Sequence, residues 1–280
     1  MIIWLASYPK SGNTWVRSFL SAYYYSKDGK FDFGLLKKIK QFPSRDFFDK
    51  KLKSVDEAAK NWLVAQKKIK ENGQFCFLKT HNVYGSYKGN SFTTSEFSAG
   101  FIYIVRDPRN VLTSLMNHYS LNEEDSLEML KSVYRNLRDE NDNDNYSNYS
   151  FISSWANNYK SWKLSNNLES LFIKYESLEN DRLNTFRKII NFTNKILNKN
   201  EKIDTKKLEN AIETTNFDVL KKKEEKEGFD EAIYSVKDGK TKSFFNLGNK
   251  NNYKELLKKE TTDSIEENFQ TEMKELGYIS

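Results

Sequence analysis

Apolar residues in this chain follow two alternating rhythms. Ile2-Ile3-Trp4-Leu5-Ala6 is an unbroken apolar run, the pattern of a strand buried on both faces. The spacing then changes. Trp15, Val16, Phe19, Leu20 and Tyr23 recur at helical intervals, which predicts a helix from about Thr14 to Tyr25. Further strands are expected at Gln74 to Lys79, Phe101 to Val105 and Leu171 to Lys174. Between them, a helix from Val55 to about Ile69 carries Ala58, Ala59, Trp62, Leu63 and Gln66 on or near one face, and Asn72-Gly73 closes it. Pro108 suits the first turn of a helix bearing Val111, Leu112, Leu115 and Tyr119. Another runs from Phe151 to about Leu164, and weaker helical periodicity at Phe33 to Ile39 ends before Pro43. Beyond the fourth strand, helices are expected at Leu178 to Asn194, Thr205 to Thr214, Phe217 to Gly228 and Thr262 to Leu276. Two stretches lack a period: Asp139 to Ser150 (DENDNDNYSNYS), expected as an exposed mobile loop, and Ser235 to Asn251, expected as a loop.

Strands alternating with long helices predict right-handed βαβ units. The expected fold is α/β: one domain over residues 1–280, with a central parallel sheet flanked by helices. Hydrophobic residues are sparse at 38% against 30% charged, but aromatics at 15% each bury a large area and sustain a core. The net charge of +6 favours anionic partners such as nucleotides, sulfated sugars, nucleic acid or membrane. The charges are intermixed, however, and Lys221-Lys222-Lys223-Glu224-Glu225-Lys226 reads as a solvated helix face. No nucleic-acid module is recognisable, so that partner is not expected. The one cysteine rules out an intrachain disulfide, and Cys76, within Phe75-Cys76-Phe77-Leu78, reads as a small buried hydrophobe. No segment is apolar enough to span a membrane, and Met1 leads straight into the first strand without a basic leader. A soluble protein of the reducing cytoplasm is expected.

The chemically distinctive residues Lys10, His81, Arg106 and Tyr175 all lie just past the C-terminal ends of expected strands, where open α/β sheets bind ligands. Ser7 to Trp15 reads SYPKSGNTW, a strand-loop-helix junction. Unpaired N–H groups of Ser11, Gly12, Asn13 and Thr14 at a helix N-terminus favour a phosphate. Gly12 lets backbone approach closely, Lys10 brings an ammonium, and Trp15 offers a face for a purine. The lysine precedes the glycine, so this is not the nucleotide-kinase order G-x-x-x-x-G-K-[ST]. In the second segment, Tyr103 to Ser114, a guanidinium leaves a buried strand and a hydroxyl follows eight residues later. Arginine suits bidentate phosphate binding. In the third, Leu78-Lys79-Thr80-His81, a histidine at the same edge is placed to take a proton. Taken singly, each has a plainer reading: a turn with a surface lysine, an Arg-Asp pair capping a helix, a loop histidine. The other histidine, His118, reads as structural.

Together these segments resemble the cytosolic-type sulfotransferases that use 3′-phosphoadenosine 5′-phosphosulfate (PAPS). The likeness continues through Ser154-Trp155 to Trp162, Phe172-Ile173-Lys174-Tyr175-Glu176, Thr214 to Leu220 and Lys237 to Asn246. It implies transfer of a sulfuryl group from PAPS to a hydroxyl or amine, with His81 as catalytic base, Lys10 and Lys79 as assisting cations, and no metal. It further implies that the nucleotide is held by Lys10, Ser11, Gly12, Asn13, Thr14, Trp15, Arg106, Ser114, Tyr175, Thr215, Phe217, Lys237 and Gly239. The chain departs from the family pattern at Asn158 and Tyr159, where relatives often have histidine-valine, at Asn216 in place of serine, and at Asp238 in place of lysine. The dimerisation motif of animal members is not recognisable. The acceptor, a small molecule or glycan, is expected to meet variable loops at Tyr23 to Phe48, Asn82 to Phe97 and Ser120 to Ser150. Two alternatives stay open: a P-loop kinase of a small metabolite, and a non-catalytic nucleotide-binding relative.

Overall fold

The computed structural model describes residues 1–49, 52–137, 149–235 and 239–280. The chain opens with β1 (Ile2–Ser7) and α1 (Asn13–Tyr25). Short 3-10 segments at Phe33–Lys38 and Arg45–Phe47 flank β2 (Lys40–Gln41), and α2 (Val55–Glu71) and β3 (Cys76–Thr80) follow. A short hairpin of β4 (Ser86–Tyr87) and β5 (Asn90–Ser91) leads to β6 (Ser98–Val105), α3 (Pro108–Tyr119) and α4 (Glu123–Lys131). An antiparallel pair, β7 (Asn136–Leu137) and β8 (Ser150–Phe151), precedes α5 (Trp155–Lys163) and β9 (Glu169–Lys174). Helices α6 (Tyr175–Asn180), α7 (Arg182–Ile196), α8 (Thr205–Thr214) and α9 (Phe217–Glu227) come next. The pair β10 (Ile233–Ser235) and β11 (Lys240–Lys242) then leads to α10 (Tyr253–Leu256), α11 (Lys259–Asn268) and α12 (Gln270–Glu275).

The central sheet has the order β2-β3-β1-β6-β9, and every pairing within it is parallel. It is the expected α/β architecture. Because strand side chains alternate between faces, β1 feeds two cores. Trp4 and Ala6 pack with Leu78, Phe101, Tyr103, Trp155 and Trp162 on one face. Ile3 and Leu5 pack with Phe19, Phe77, Ile102, Ile104 and Ile190 on the other. Covering both faces of β1, β3 and β6 explains why these strands read as continuous apolar runs.

Several expected boundaries shift. The edge strand β2 was not anticipated, and the Phe33 to Ile39 periodicity forms a 3-10 segment because Asp32 caps it in tight-turn geometry, accepting from the Gly34 N–H. The helix expected from Phe151 starts at Trp155, since Phe151 belongs to β8 and Ser154 caps the helix. Leu178 to Asn194 divides into α6 and α7 at Asp181, and the last helix divides at Phe269. Within Ser120 to Ser150, expected as loop, Asn122 caps α4. Residues 138–148 of the expected mobile loop lie outside the described residues. Tyr149 and Ser150 at its end are buried rather than exposed, because Tyr149 packs with Leu52, Val55 and Ala58. Ser235 to Asn251 includes strand β11 as well as loop. Cys76 is half-buried at the start of β3. Among the described residues, no helix is long and apolar enough to cross a membrane.

Candidate active site

The C-terminal ends of β1, β3 and β6, with α6 beyond β9, frame a cavity of about 1380 Å³. Lys10, Gly12, Asn13, Thr14 and Trp15 line it from the first loop. Lys79 and His81 reach it from β3, Arg106 and Ser114 from the β6–α3 junction, and Tyr175 and Phe217 from α6 and α9. Ser11 and Thr215 are buried behind this wall, and Gly239 lies away from it. Thr215 spends its hydroxyl on the Ala211 carbonyl at 2.6 Å. Lys237, like Asp238, falls outside the described residues. His118, read as structural, also lines the cavity, with its ring edge-on to Tyr119 and Phe244.

The first loop owes its shape to two left-handed residues, Lys10 at φ 64° and Gly12 at φ 97°. At Gly12 a Cβ would come within 2.5 Å of the Tyr175 ring, so only glycine lets α1 begin there. The Asn13 amide ties the loop to β1 by donating to the Leu5 carbonyl and to Ser7 Oγ, at 3.0 and 3.2 Å. The Arg106 guanidinium lies 3.9 Å over the Tyr175 ring and donates to the Lys10 carbonyl and Ser114 Oγ, each at 3.3 Å. Asp107 pairs instead with Arg109, which also holds Glu266 and the Tyr278 carbonyl. Arg106 is therefore not consumed in the Arg-Asp cap that its sequence neighbour offers. Asn251, which no motif identifies, joins this corner by donating to Ser114 Oγ at 3.0 Å.

Three buried hydrogen-bond donors around the loop have no partner: Ser11 Oγ, Arg106 Nε and Trp15 Nε1. A buried group left so is costly unless something completes it. Beside a glycine-opened helix N-terminus and a buried guanidinium, the group that fits is an anion. Among the described residues, no cluster of histidine, cysteine, aspartate and glutamate has the makings of a metal site.

His81 Nδ1 sits 2.8 Å from the Ser7 carbonyl, which can only accept, so Nδ1 carries the proton and Nε2 keeps its lone pair. Burial, reinforced by the Lys79 charge, pushes the imidazole down to about 3, so it is neutral at ordinary pH. Asn158 fixes this segment from behind: its amide donates to the His81 and Ile152 carbonyls at 2.9 and 2.8 Å and accepts from Tyr103 Oη. The two tryptophans of α5 act on the same strand ends. Trp155 donates its indole N–H to the Arg106 carbonyl at 3.2 Å, and Trp162 donates to the Asn82 carbonyl at 2.9 Å.

The cations are held close together. Lys10 Nζ rests 3.9 Å over the Phe244 ring, and burial, with Lys79 and Arg106 nearby, brings its pKa down to about 7 despite Glu231. Burial also lowers Lys79, whose Nζ lies 3.2 Å from both Glu231 oxygens. No sequence motif identifies Glu231. It follows Asp230 at the end of a charged stretch, and neither its spacing nor its neighbours mark it.

The fold has solved counterparts. Mouse sulfotransferase SULT7A1 complexed with PAP is 17% identical, with TM-score 0.59, covering 97% of this chain and 83% of that one. Retinol dehydratase in complex with androsterone and inactive cofactor PAP is 17% identical, with TM-score 0.59 over 98% of this chain and 80% of that one. The same enzyme with retinol and PAP is 16% identical, with TM-score 0.61 and coverage of 98% and 81%. A sequence search of curated proteins finds no significant match. The sequence model of the sulfotransferase domain matches residues 2–277. With that match spanning almost every residue, the chain belongs to the sulfotransferase domain family.

Proposed function

We propose that the protein transfers a sulfuryl group from PAPS to a hydroxyl or amine of a small-molecule or glycan acceptor. The observation that carries this reading is the convergence of Lys10, Lys79, His81 and Arg106 on one cavity, beside buried donors that an anion would complete. The Arg106–Ser114 corner, aided by Asn251 and with Ser11 Oγ beside it, takes the 3′-phosphate. Trp15, Tyr175 and Phe217 enclose the adenine side, and the Gly12–Thr14 backbone meets the 5′-phosphate. By family resemblance Lys237 extends the phosphate grip; Gly239, which the same resemblance would include, lies away from the cavity.

PAPS supplies the sulfuryl group and a good leaving group. His81 Nε2 accepts the acceptor's proton as the new bond to sulfur forms. The bond from sulfur to the bridging phosphate oxygen breaks, and Lys10 neutralises charge on that oxygen as adenosine 3′,5′-bisphosphate (PAP) departs. Lys79 faces the sulfuryl oxygens. Such transfers depend on alignment and charge stabilisation more than on covalent assistance. The retinol dehydratase neighbour holds androsterone or retinol. Here the far wall carries Gln41, Tyr87, Arg135 and Tyr149, a polar surface suited to a hydroxyl-bearing acceptor.

Transfer of labelled sulfate from PAPS to a panel of phenols, amines and glycans tests the reading. His81→Ala is expected to lose about 100- to 10,000-fold in turnover while its PAP affinity, measured by calorimetry, stays near that of the wild type. Near-normal turnover in that variant rejects the base. Binding of ATP–Mg in preference to PAP rejects the sulfotransferase reading in favour of a kinase.

A further inference from the structure

Glu231 enters the cavity from a short turn in which the Ala232 N–H bonds the Phe229 carbonyl at 3.0 Å. Phe229 secures that turn by packing on Phe33, Phe244 and Phe245. The carboxylate accepts from Lys79 Nζ at 3.2 Å on both oxygens, from Thr14 Oγ1 at 3.0 Å, and from Arg17 Nη1. Arg17 is itself fixed by the Ile39 and Leu36 carbonyls. Burial opposes ionisation of Glu231, but the Lys79 and Arg17 charges outweigh it and hold the carboxyl below the usual carboxylate range. At the Arg106–Ser114 corner of the same cavity, Arg106 Nε is buried without a partner, and so is Ser11 Oγ behind the wall. The Lys79 side thus already holds an anion, and the Arg106 side keeps a donor unsatisfied.

We propose that Glu231 is an internal stand-in anion, which occupies the Thr14–Lys79 end of the cradle until the 5′-anionic group of the nucleotide displaces it. The inference rests on the reading of this cavity as the PAPS site. Binding is then an exchange of one anion for another, and apparent affinity falls by the fraction of molecules in which Glu231 is docked. The exchange applies only to ligands with a negative group on the 5′ side. A nucleotide bearing the 3′-phosphate alone uses the Arg106 end and leaves Glu231 in place. Glu231 therefore sets selectivity between nucleotides by their 5′ group. The rival role, a carboxylate that positions Lys79 for ligand, predicts the opposite sign, because its removal would weaken binding.

Calorimetric titration of PAP and of adenosine 3′-monophosphate into the wild type and Glu231→Gln separates these roles. PAP is expected to bind the variant about tenfold or more tightly, the factor for a carboxylate docked in some nine molecules of ten. The 3′-monophosphate is expected to bind both proteins alike. PAP affinity unchanged or weakened in the variant, or equal tightening of both ligands, overturns the inference. A crystal of the wild type with PAP gives a test independent of the variant's folding: Glu231 is expected away from Lys79 Nζ and Thr14 Oγ1, and a carboxylate still bonded to both overturns the inference. If the wild type binds no PAP, the reading of the site fails and the exchange fails with it. If it binds PAP while Glu231→Gln changes nothing, the exchange alone fails.

Discussion

The cavity has two kinds of wall. On the sheet side, Lys10, Lys79, His81 and Arg106 sit within a few residues of strand ends, and regular backbone on each side fixes their positions. On the facing side, Glu231, Phe244 and Phe245 come from the stretch after α9, where aromatic packing does most of the holding. One carboxylate, Glu224, anchors that stretch by accepting from the Phe244 and Phe245 N–H groups at 2.7 and 2.9 Å. The sheet side concentrates positive charge that needs an outside partner, and the facing side supplies a negative charge that quiets part of it. Affinity for an anion is thus a difference between two walls, and substitutions on them are expected to act with opposite sign.

Arg106→Ala is the strongest way to sharpen this contrast. Charge-assisted hydrogen bonds contribute roughly 1.5–3 kcal/mol, so PAP affinity is expected to fall about ten- to hundredfold by calorimetry. Unchanged affinity would remove the sheet side from phosphate binding. The next effect is a pH dependence. Lys10, brought down to about 7, loses its proton in the free protein as pH rises through neutrality. The ammonium is the form that attracts the anion, so PAP binding is expected to weaken between pH 7 and 8 by less than about tenfold, the limit for one proton. Lys10→Arg, charged throughout, should flatten that dependence; an equal slope in the variant assigns the titration elsewhere. The smallest effect is expected on the facing side. Phe229→Ala loosens the turn that presents Glu231, so PAP should bind slightly more tightly, by less than about threefold on the scale of a half-kcal/mol substitution. Weaker binding would mean that this wall assists the ligand and would break the contrast.

The same division governs what the sequence discloses. The strand-to-helix junction at Ser7–Trp15 is legible because a continuous apolar run, a glycine at a forced left-handed turn and a helical stripe are all local signals. His81 and Arg106 are legible for the same reason, each following a buried strand. β2 is not, because two residues at a sheet edge carry no periodicity. The breaks at Asp181 and Phe269 lack glycine or proline, and tertiary packing decides them. Glu231 and Asn251 are hidden because their partners lie far away in sequence, at Thr14, Arg17 and Lys79 for one and at Thr113 and Ser114 for the other. Motif matching locates Asn158 as a departure, yet only its bonds to the His81 and Ile152 carbonyls reveal what the amide does there.

The indole pair of α5 has a broader consequence. Trp155 and Trp162 are seven residues apart, about 10 Å along a helix axis, and each grips the carbonyl of a different strand arm. The helix therefore works as a gauge block, transferring its own pitch to the interval between the arm after β3, which bears His81, and the arm after β6, which bears Arg106. A helix lengthened or shortened between the two indoles is therefore expected to shift the two arms relative to each other, whatever the sequence of the loops that leave them.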